Sequence, residues 1–555
     1  MLNESYWMKE EKTILTFPAL FHETVRNHGN AMAYSFAGED PVSYSEASEK
    51  ILAVSALLEK NGINRGDRVA ILSTNMPNWP IAYFAITFMG AVAVPILPDF
   101  SATEVFNVLE HSGSGAVFIS SGLLQRIADS RPETLKTVIK IDDFSMIIDG
   151  DETVVYDPGA RPAGQIEIEE EDLASIIYTS GTTGRSKGVM LTHKNICFNA
   201  MKARMIQDIN ENDCFLSVLP LSHTYENTLG FILPMLAGAC VYYLRKPPTP
   251  AVLLPALEIV KPTMMLTVPL IIEKVYFNKI LPAFEDKFIL RILYRIPFLR
   301  KKLNEAAGRK LMKTFGGRLK FFGIGGSRLN RKVEQFLREA KFPYAIGYGL
   351  TETAPLLAGA NPSKTVFEST GPAIDGIELK INNPDRRTGE GEIWVKGPNV
   401  MQGYYREPEM TAEVLSPDGW FKTGDLGVMD RRNNLFIKGR LKNMIVGASG
   451  ENIYPEEIEA VINNFRFVVE SLVIQQKGKL VALVHLNMEE LEKKYLSLKQ
   501  DMEEKFEEKK QELMAELKEY VNTRVNKFSQ INRVVLQPVP FQKTATLKIK
   551  RFLYT

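Results

Sequence analysis

Apolar positions along the first third of the chain switch between two spacings. From Tyr44 to Asn61, Ile51, Leu52, Val54, Leu57 and Leu58 recur at helical intervals, which predicts a helix with one buried face. Gly62 to Asp67 reads as a turn, and Val69-Ala70-Ile71-Leu72 then has the length and content of a buried strand. Further strand-like runs fall at Ala116–Ile119, Val138–Ile141 and Ser175–Tyr178. The longest apolar stretch, Ile81 to Leu97, is broken by Gly90 and Pro95 and reads as a buried helix followed by a strand. No apolar run reaches the ~18 residues a membrane-spanning helix needs. Helices alternating with buried strands predict an α/β fold with parallel-rich sheets. No repeat of fixed period is present.

From Gly391 to Ile437 the pattern shortens into strands separated by Gly and Pro, which predicts a small β-region. Mixed α/β character returns afterwards, with strands at Ser471–Ile474 and Leu480–Leu486 around a Lys477-Gly478 turn. The expected division is a large multi-subdomain N-terminal unit, residues 1–439, and a small mobile α+β unit, residues 440–555. Within the second, Leu491, Tyr495, Leu498, Met502, Phe506, Leu513 and Leu517 form one apolar stripe in a densely charged stretch. This predicts a long amphipathic helix near 489–520, packed on the small unit.

At 555 residues the chain is too long for one core, and 45% hydrophobic with 24% charged residues is ordinary for a globular protein. A formal net charge of +1 argues against a nucleic-acid partner. Cys197, Cys214 and Cys240 show no paired or zinc-type spacing, which reads as a reducing, cytoplasmic compartment. The start, Met1-Leu2-Asn3-Glu4, lacks the basic and apolar regions of a signal peptide.

The chemistry is concentrated in Tyr178-Thr-Ser-Gly-Thr-Thr-Gly-Arg-Ser-Lys-Gly-Val189. It follows the apolar run Ala174-Ser175-Ile176-Ile177. Gly181 and Gly184 let backbone N–H groups approach a ligand closely. Thr179, Ser180, Thr182 and Thr183 add hydroxyls, and Lys187 adds a charge, which together suit a polyphosphate. The spacing is not that of a Walker loop, because Gly181 and Gly184 are too close and Gly188 follows Lys187. Gly323-Ile324-Gly325-Gly326-Ser327-Arg328 lacks the last glycine of a dinucleotide fingerprint.

The loop resembles the signature of the adenylate-forming superfamily, which includes acyl-CoA synthetases, peptide-synthetase adenylation domains and firefly luciferase. Other segments match that family's motifs in the same chain order. Leu219 to Glu226 resembles the segment whose histidine, here His223, lines the acyl pocket. Gly347-Tyr348-Gly349-Leu350-Thr351-Glu352-Thr353 resembles the adenine and phosphate segment. By that resemblance Tyr348 stacks on adenine, Thr351 meets phosphate and Glu352 holds Mg²⁺, a hard cation suited to a carboxylate. Trp420 to Gly427 resembles the ribose segment, with Asp425 on the hydroxyls. Gly439-Arg440-Leu441-Lys442 resembles the domain junction, with Arg440 in the nucleotide site and Lys442 at the hinge. The tail Lys543 to Arg551 resembles the segment carrying the mobile catalytic lysine. Its Thr and Arg register favours Lys548, with Lys550 as the competing assignment. Gln542 and Leu547 depart from the usual Pro and Gly.

The resemblance implies ATP-dependent formation of an acyl-adenylate and then a thioester, with ATP, Mg²⁺ and coenzyme A. It also implies that Gly447-Ala448-Ser449-Gly450 nears the thiol. Residues 450–455 and the ending Lys548-Ile549-Lys550-Arg551 look most like long-chain fatty acid–CoA ligases, so a fatty acid is the expected substrate. Met264, Met265, Leu266, Val268, Ile271 and Ile272 are candidates for its pocket and are equally natural core residues. A carrier-protein acceptor, an aromatic acid and a non-catalytic acyl or nucleotide sensor are the alternative readings. Ile289–Lys320 mixes Arg291, Arg295, Arg300, Lys301, Lys302, Arg309 and Lys310 with apolar residues, which marks a candidate membrane-surface patch or a solvated basic face.

Overall fold

The structure, a computed structural model, describes residues 13–148, 151–164, 166–179, 186–285, 287–446, 452–494, 503–543 and 549–554. The helix read from Tyr44 is Tyr44–Lys60 and begins with a full capping box. Ser43 Oγ accepts from the Glu46 N–H while the Glu46 carboxylate accepts from the Ser43 N–H. The interrupted apolar stretch divides at Gly90 into the helix Asn78–Phe88 and the strand Val92–Ile96, and Pro95 lies inside the strand.

Two parallel-rich sheets dominate. One is a nine-stranded sheet whose centre runs Leu173–Thr179, Val92–Ile96, Arg68–Leu72, Ala116–Ile119 and Thr137–Lys140, all parallel. The other has seven strands, and its parallel part runs Tyr344–Ile346, Phe321–Ile324, Met264–Thr267, Cys214–Leu216, Cys240–Tyr243 and Met32–Phe36. The small β-region is a four-stranded antiparallel sheet of Glu378–Asn382, Gly391–Lys396, Phe421–Met429 and Leu435–Arg440.

One large core joins these sheets through Trp79, Tyr83, Phe84 and Phe231. Beyond Arg440 a separate core gathers Ile458, Ile462, Val473, Val484, Leu491, Phe506, Leu513 and Leu517. It packs against a sheet of Val468–Gln476, Lys479–Leu486 and Arg533–Leu536. Among the described residues the amphipathic stripe is carried by helices Met488–Lys494 and Glu503–Asn522, while Tyr495, Leu498 and Met502 lie outside the described residues. Leu491, Phe506, Leu513 and Leu517 are buried, so the stripe is a packing face.

The fold brings together two cysteines far apart in sequence. Cys214 and Cys240 are register partners on neighbouring parallel strands, and both are free thiols. No described helix is long and apolar enough to cross a membrane.

Candidate functional site

Register places the charged residues. Asp425 and Arg440 are cross-strand partners in the antiparallel sheet, so their side chains leave the same face. Arg440 Nε lies 2.7 Å from Asp425 Oδ1, and the buried Tyr348 hydroxyl donates to Asp425 Oδ2 at 2.8 Å. Burial works against the Arg440 charge, but Asp425, then Tyr348 and Glu352, outweigh it and raise its pKa. Burial, with Asp425 alongside, pushes the Tyr348 phenol well above its ordinary range, so it stays a donor.

The strand Tyr348–Gly349 reaches this cluster across a very close backbone approach. A Cβ on Gly349 would fall on the Pro355 carbonyl, so no other residue fits. The turn that follows, Thr351–Thr353, is braced from below. Asn199 Nδ2 donates to the carbonyls of Thr353 and Leu356, and Asn399 Nδ2 donates to Thr353 at 2.9 Å. Glu352 is held by its own carbonyl, which accepts from the Met401 N–H, and by its carboxylate, which accepts from the Tyr404 hydroxyl at 2.9 Å.

Lys187 opens the strand Lys187–Thr192 and pairs with Thr179 at the end of its antiparallel neighbour. The two residues therefore bracket the glycine-rich loop, whose Ser180, Gly181, Thr182, Thr183 and Gly184 lie outside the described residues. The Lys187 ammonium sits 4.8 Å above the Tyr404 ring, which also carries the hydroxyl on Glu352. Tyr404 thus links the loop lysine to the candidate metal carboxylate. Its sequence context, Gln402-Gly403-Tyr404-Tyr405, gave no sign of this, because the contact depends on the strand Gly403–Tyr404 joining the sheet edge beside Val189 and Met190. Lys442 feels the same cluster, since partial burial, then Arg440 and Lys187, hold its pKa below the usual lysine range.

An apolar cavity of about 60 Å³ lies within the large N-terminal part. Gly347, directly before Tyr348, is part of its wall, with Tyr225, Leu229, Met264, Leu266 and Phe321. Of the pocket residues expected from the sequence, Met264 and Leu266 line it. Met265 and Ile272 instead belong to a second core, with Ile271 packed against it. Alternation along Met264–Thr267 explains the difference, because successive side chains face opposite sides of the sheet. Tyr225 is in the wall, whereas His223 caps the short helix Thr224–Glu226 by accepting from the Tyr225 N–H at 3.2 Å.

Beneath the cavity, Asn227–Ile232 forms a π-helix, a geometry often found beside functional sites. The adjacent Glu226 is buried, and burial pushes its carboxyl up to about 8 despite a Ser217 hydrogen bond. Gly230 makes room for it, since a Cβ there would lie 2.6 Å from the Glu226 carboxyl carbon. The sequence gave no reason to single out this pair.

Lys548 and Gly447-Ala448-Ser449-Gly450 lie outside the described residues. Their flanks are placed. Arg551 bonds Glu459, and Lys543 bonds Glu470, both within the C-terminal core region. Helix Pro455–Ile462 faces the four-stranded sheet. Tyr454 donates to Glu390 Oε2 at 2.7 Å, Glu457 lies 3.8 Å from both Lys438 and Arg328, and Asn443 Nδ2 donates to Glu456 at 2.6 Å.

The AMP-binding enzyme family matches residues 21–405, more than half of the chain. The chain belongs to this AMP-binding enzyme family. Among curated relatives it is 29% identical over 509 residues to long chain acyl-CoA synthetase 7, peroxisomal, of Arabidopsis thaliana, covering 84% of this chain and 70% of that one. It is 30% identical over 526 residues to long-chain-fatty-acid--CoA ligase FadD15 of Mycobacterium bovis, covering 86% of this chain and 85% of that one. ATP-bound MatB from Rhodopseudomonas palustris superposes with a TM-score of 0.76 at 23% identity, over 96% of this chain and 97% of that chain, a likeness that establishes the fold.

Proposed function

We propose that this chain is an AMP-forming long-chain fatty acid–CoA ligase. The observation that carries the reading is the backbone step Gly347-Tyr348, which has an apolar cavity wall at one residue and a cluster of Tyr348, Asp425 and Arg440 at the next. The cluster suits a nucleotide, and the apolar wall suits an aliphatic group. The kinship with acyl-CoA synthetases supports the same reading.

In the first step a fatty-acid carboxylate oxygen attacks the α-phosphorus of ATP. A new P–O bond forms, the bond to the β-phosphate oxygen breaks, and pyrophosphate leaves. In the second, the coenzyme A sulfur attacks the acyl carbon, AMP leaves with the bonding pair, and the thiol proton passes to solvent. We assign Tyr348 to the adenine face, Asp425 and Arg440 to the ribose and its neighbouring phosphate, and Thr351 to phosphate. Lys187 and the loop hydroxyls hold the departing pyrophosphate. Glu352 offers the hard oxygen donor that Mg²⁺ favours, and the ion would supply charge neutralisation at phosphate oxygens. Residues 440–555 are taken as the mobile unit that delivers Lys548, with Lys442 at its hinge. Positioning and charge stabilisation then do most of the catalysis.

ATP–pyrophosphate exchange across saturated acids of increasing length, with benzoate alongside, tests the reading. Thioester formation with coenzyme A or a carrier protein is then measured on the best acid. Exchange that peaks at long chains, with coenzyme A as acceptor, is expected. No exchange with any acid would sink the enzyme reading, and a preference for benzoate or carrier protein would replace its substrate assignment.

A further inference from the structure

The crossover between the cavity strands Met264–Thr267 and Phe321–Ile324 is a long helical excursion, and two of its helices expose apolar residues to solvent. Helix Phe288–Arg295 has no buried residue, and Pro297–Thr314 follows it directly. Phe288, Ile289 and Phe298 are 67, 71 and 68% exposed, and Ile292 and Ile296 are 46 and 45% exposed. Five large apolar side chains this close together are not the scattered exposure common on protein surfaces.

The patch is firmly mounted. Tyr294 stacks on Phe284 at 4.8 Å and donates to Asn304 Oδ1 at 3.0 Å, which turns the other side of the first helix inward. Arg300, which the sequence grouped with the basic face, is withdrawn from it by Glu339, to which its Nε and Nη2 both donate. What remains outside is cationic. Lys287, Arg291, Arg295, Lys301 and Lys302 are all exposed, and no Asp or Glu occurs from Lys287 to Asn304. Arg291 lies 5.5 Å from the Phe288 ring centroid and Lys302 5.9 Å from that of Phe298, so cations sit beside the apolar tips.

We propose that this helical pair is a docking surface for an anionic lipid bilayer. Rings and isoleucines enter the headgroup boundary while the flanking cations meet lipid phosphates. A symmetric contact with a second copy would set the same cations against each other, which disfavours that occupant. The excursion starts and ends at strands that line the acyl cavity, so docking would bring the cavity side toward a source of fatty acid. That purpose rests on the ligase reading, whereas the docking itself does not.

Flotation with vesicles of phosphatidylcholine, alone or mixed with phosphatidylglycerol, tests the surface without reference to catalysis. The chain should float with the anionic vesicles and lose that binding as salt rises. Arg291→Gln with Arg295→Gln should cut the partition by about tenfold or more. Phe288→Ser with Ile289→Ser and Phe298→Ser should abolish it. Both variants should keep the parent melting temperature and exchange rate with a short soluble acid, because none of these residues lies in the site. Equal flotation of parent and both variants would overturn the proposal. So would a parent that ignores anionic vesicles, or a solution dimer dissolved by the serine variant.

Discussion

Asp425 carries two charge-assisted contacts on one buried carboxylate, which makes it the residue whose loss is most informative. Asp425→Asn keeps the shape but leaves Arg440 Nε without its anion. Charged hydrogen bonds are worth about 1.5–3 kcal/mol each, so ATP affinity should fall by roughly tenfold to a hundredfold. Calorimetric titration of ATP measures this, and unchanged affinity would remove Asp425 from the nucleotide site. Glu226 makes a different prediction. Its folded pKa lies near 8, above the ordinary carboxylate value of 4.5, so the folded chain holds this proton where the unfolded chain has lost it. Its contribution to stability is therefore complete below pH ~4.5, declines as pH rises, and levels off above pH ~8. Glu226→Gln should flatten that decline and make the chain relatively more stable at pH 8 than at pH 5. Urea midpoints across the range read the difference, and parallel curves for the two proteins would refute it. The residue types of Asp425, Arg440 and Glu352 were legible from motif resemblance. The partners Tyr348 and Tyr404 on their carboxylates were not, because each contact joins residues more than fifty positions apart.

Among the elements, helix Pro297–Thr314 shows tertiary packing overriding propensity. Gly308 lies inside it, where Ala would normally be favoured by about 1 kcal/mol. A Cβ at 308 would fall on the Ala340 carbonyl oxygen, at the end of helix Arg331–Glu339. Overpacking costs about 1–3 kcal/mol, so it should outweigh the propensity gain. Gly308→Ala is expected to melt below the parent, and a higher melting temperature would show that the helices separate freely. Elements with strong periodicity were readable, and Tyr44–Lys60 and Ala116–Ile119 fall where the pattern put them. Which face of a strand lined the cavity was not readable from Met264-Met265-Leu266, because an all-apolar run hides its alternation when both faces are buried.

For the molecule as a whole, residues beyond Arg440 meet those before it through polar contacts of Tyr454 with Glu390 and of Glu457 with Lys438 and Arg328. Partly exposed pairs of this kind contribute about 0–1 kcal/mol each, which suits the proposed movement of residues 440–555. Tyr454→Phe with Glu457→Gln should speed tryptic cleavage near Lys442 several-fold without shifting the main melting transition. Unchanged cleavage would mean that these contacts do not hold the two parts together. The proposed alternation also separates the two half-reactions. Lys548→Ala should cripple adenylate formation but spare thioester formation from supplied acyl-adenylate, and equal loss of both would transfer the role to another lysine.

The sequence by itself determined the α/β alternation, which depends on side-chain type and on spacing within a turn or a strand. The ligand expected at each motif came from resemblance to a family's motifs. Only the tertiary structure decided that Asp425 faces Arg440, that Tyr404 joins Lys187 to Glu352, and that Met264 rather than Met265 meets the cavity. It also decided that Arg300 is tied down while Phe288 and Phe298 stay exposed. Strand order, register and the partner packed on each face set those outcomes, and all three come from burial among residues far apart in the chain.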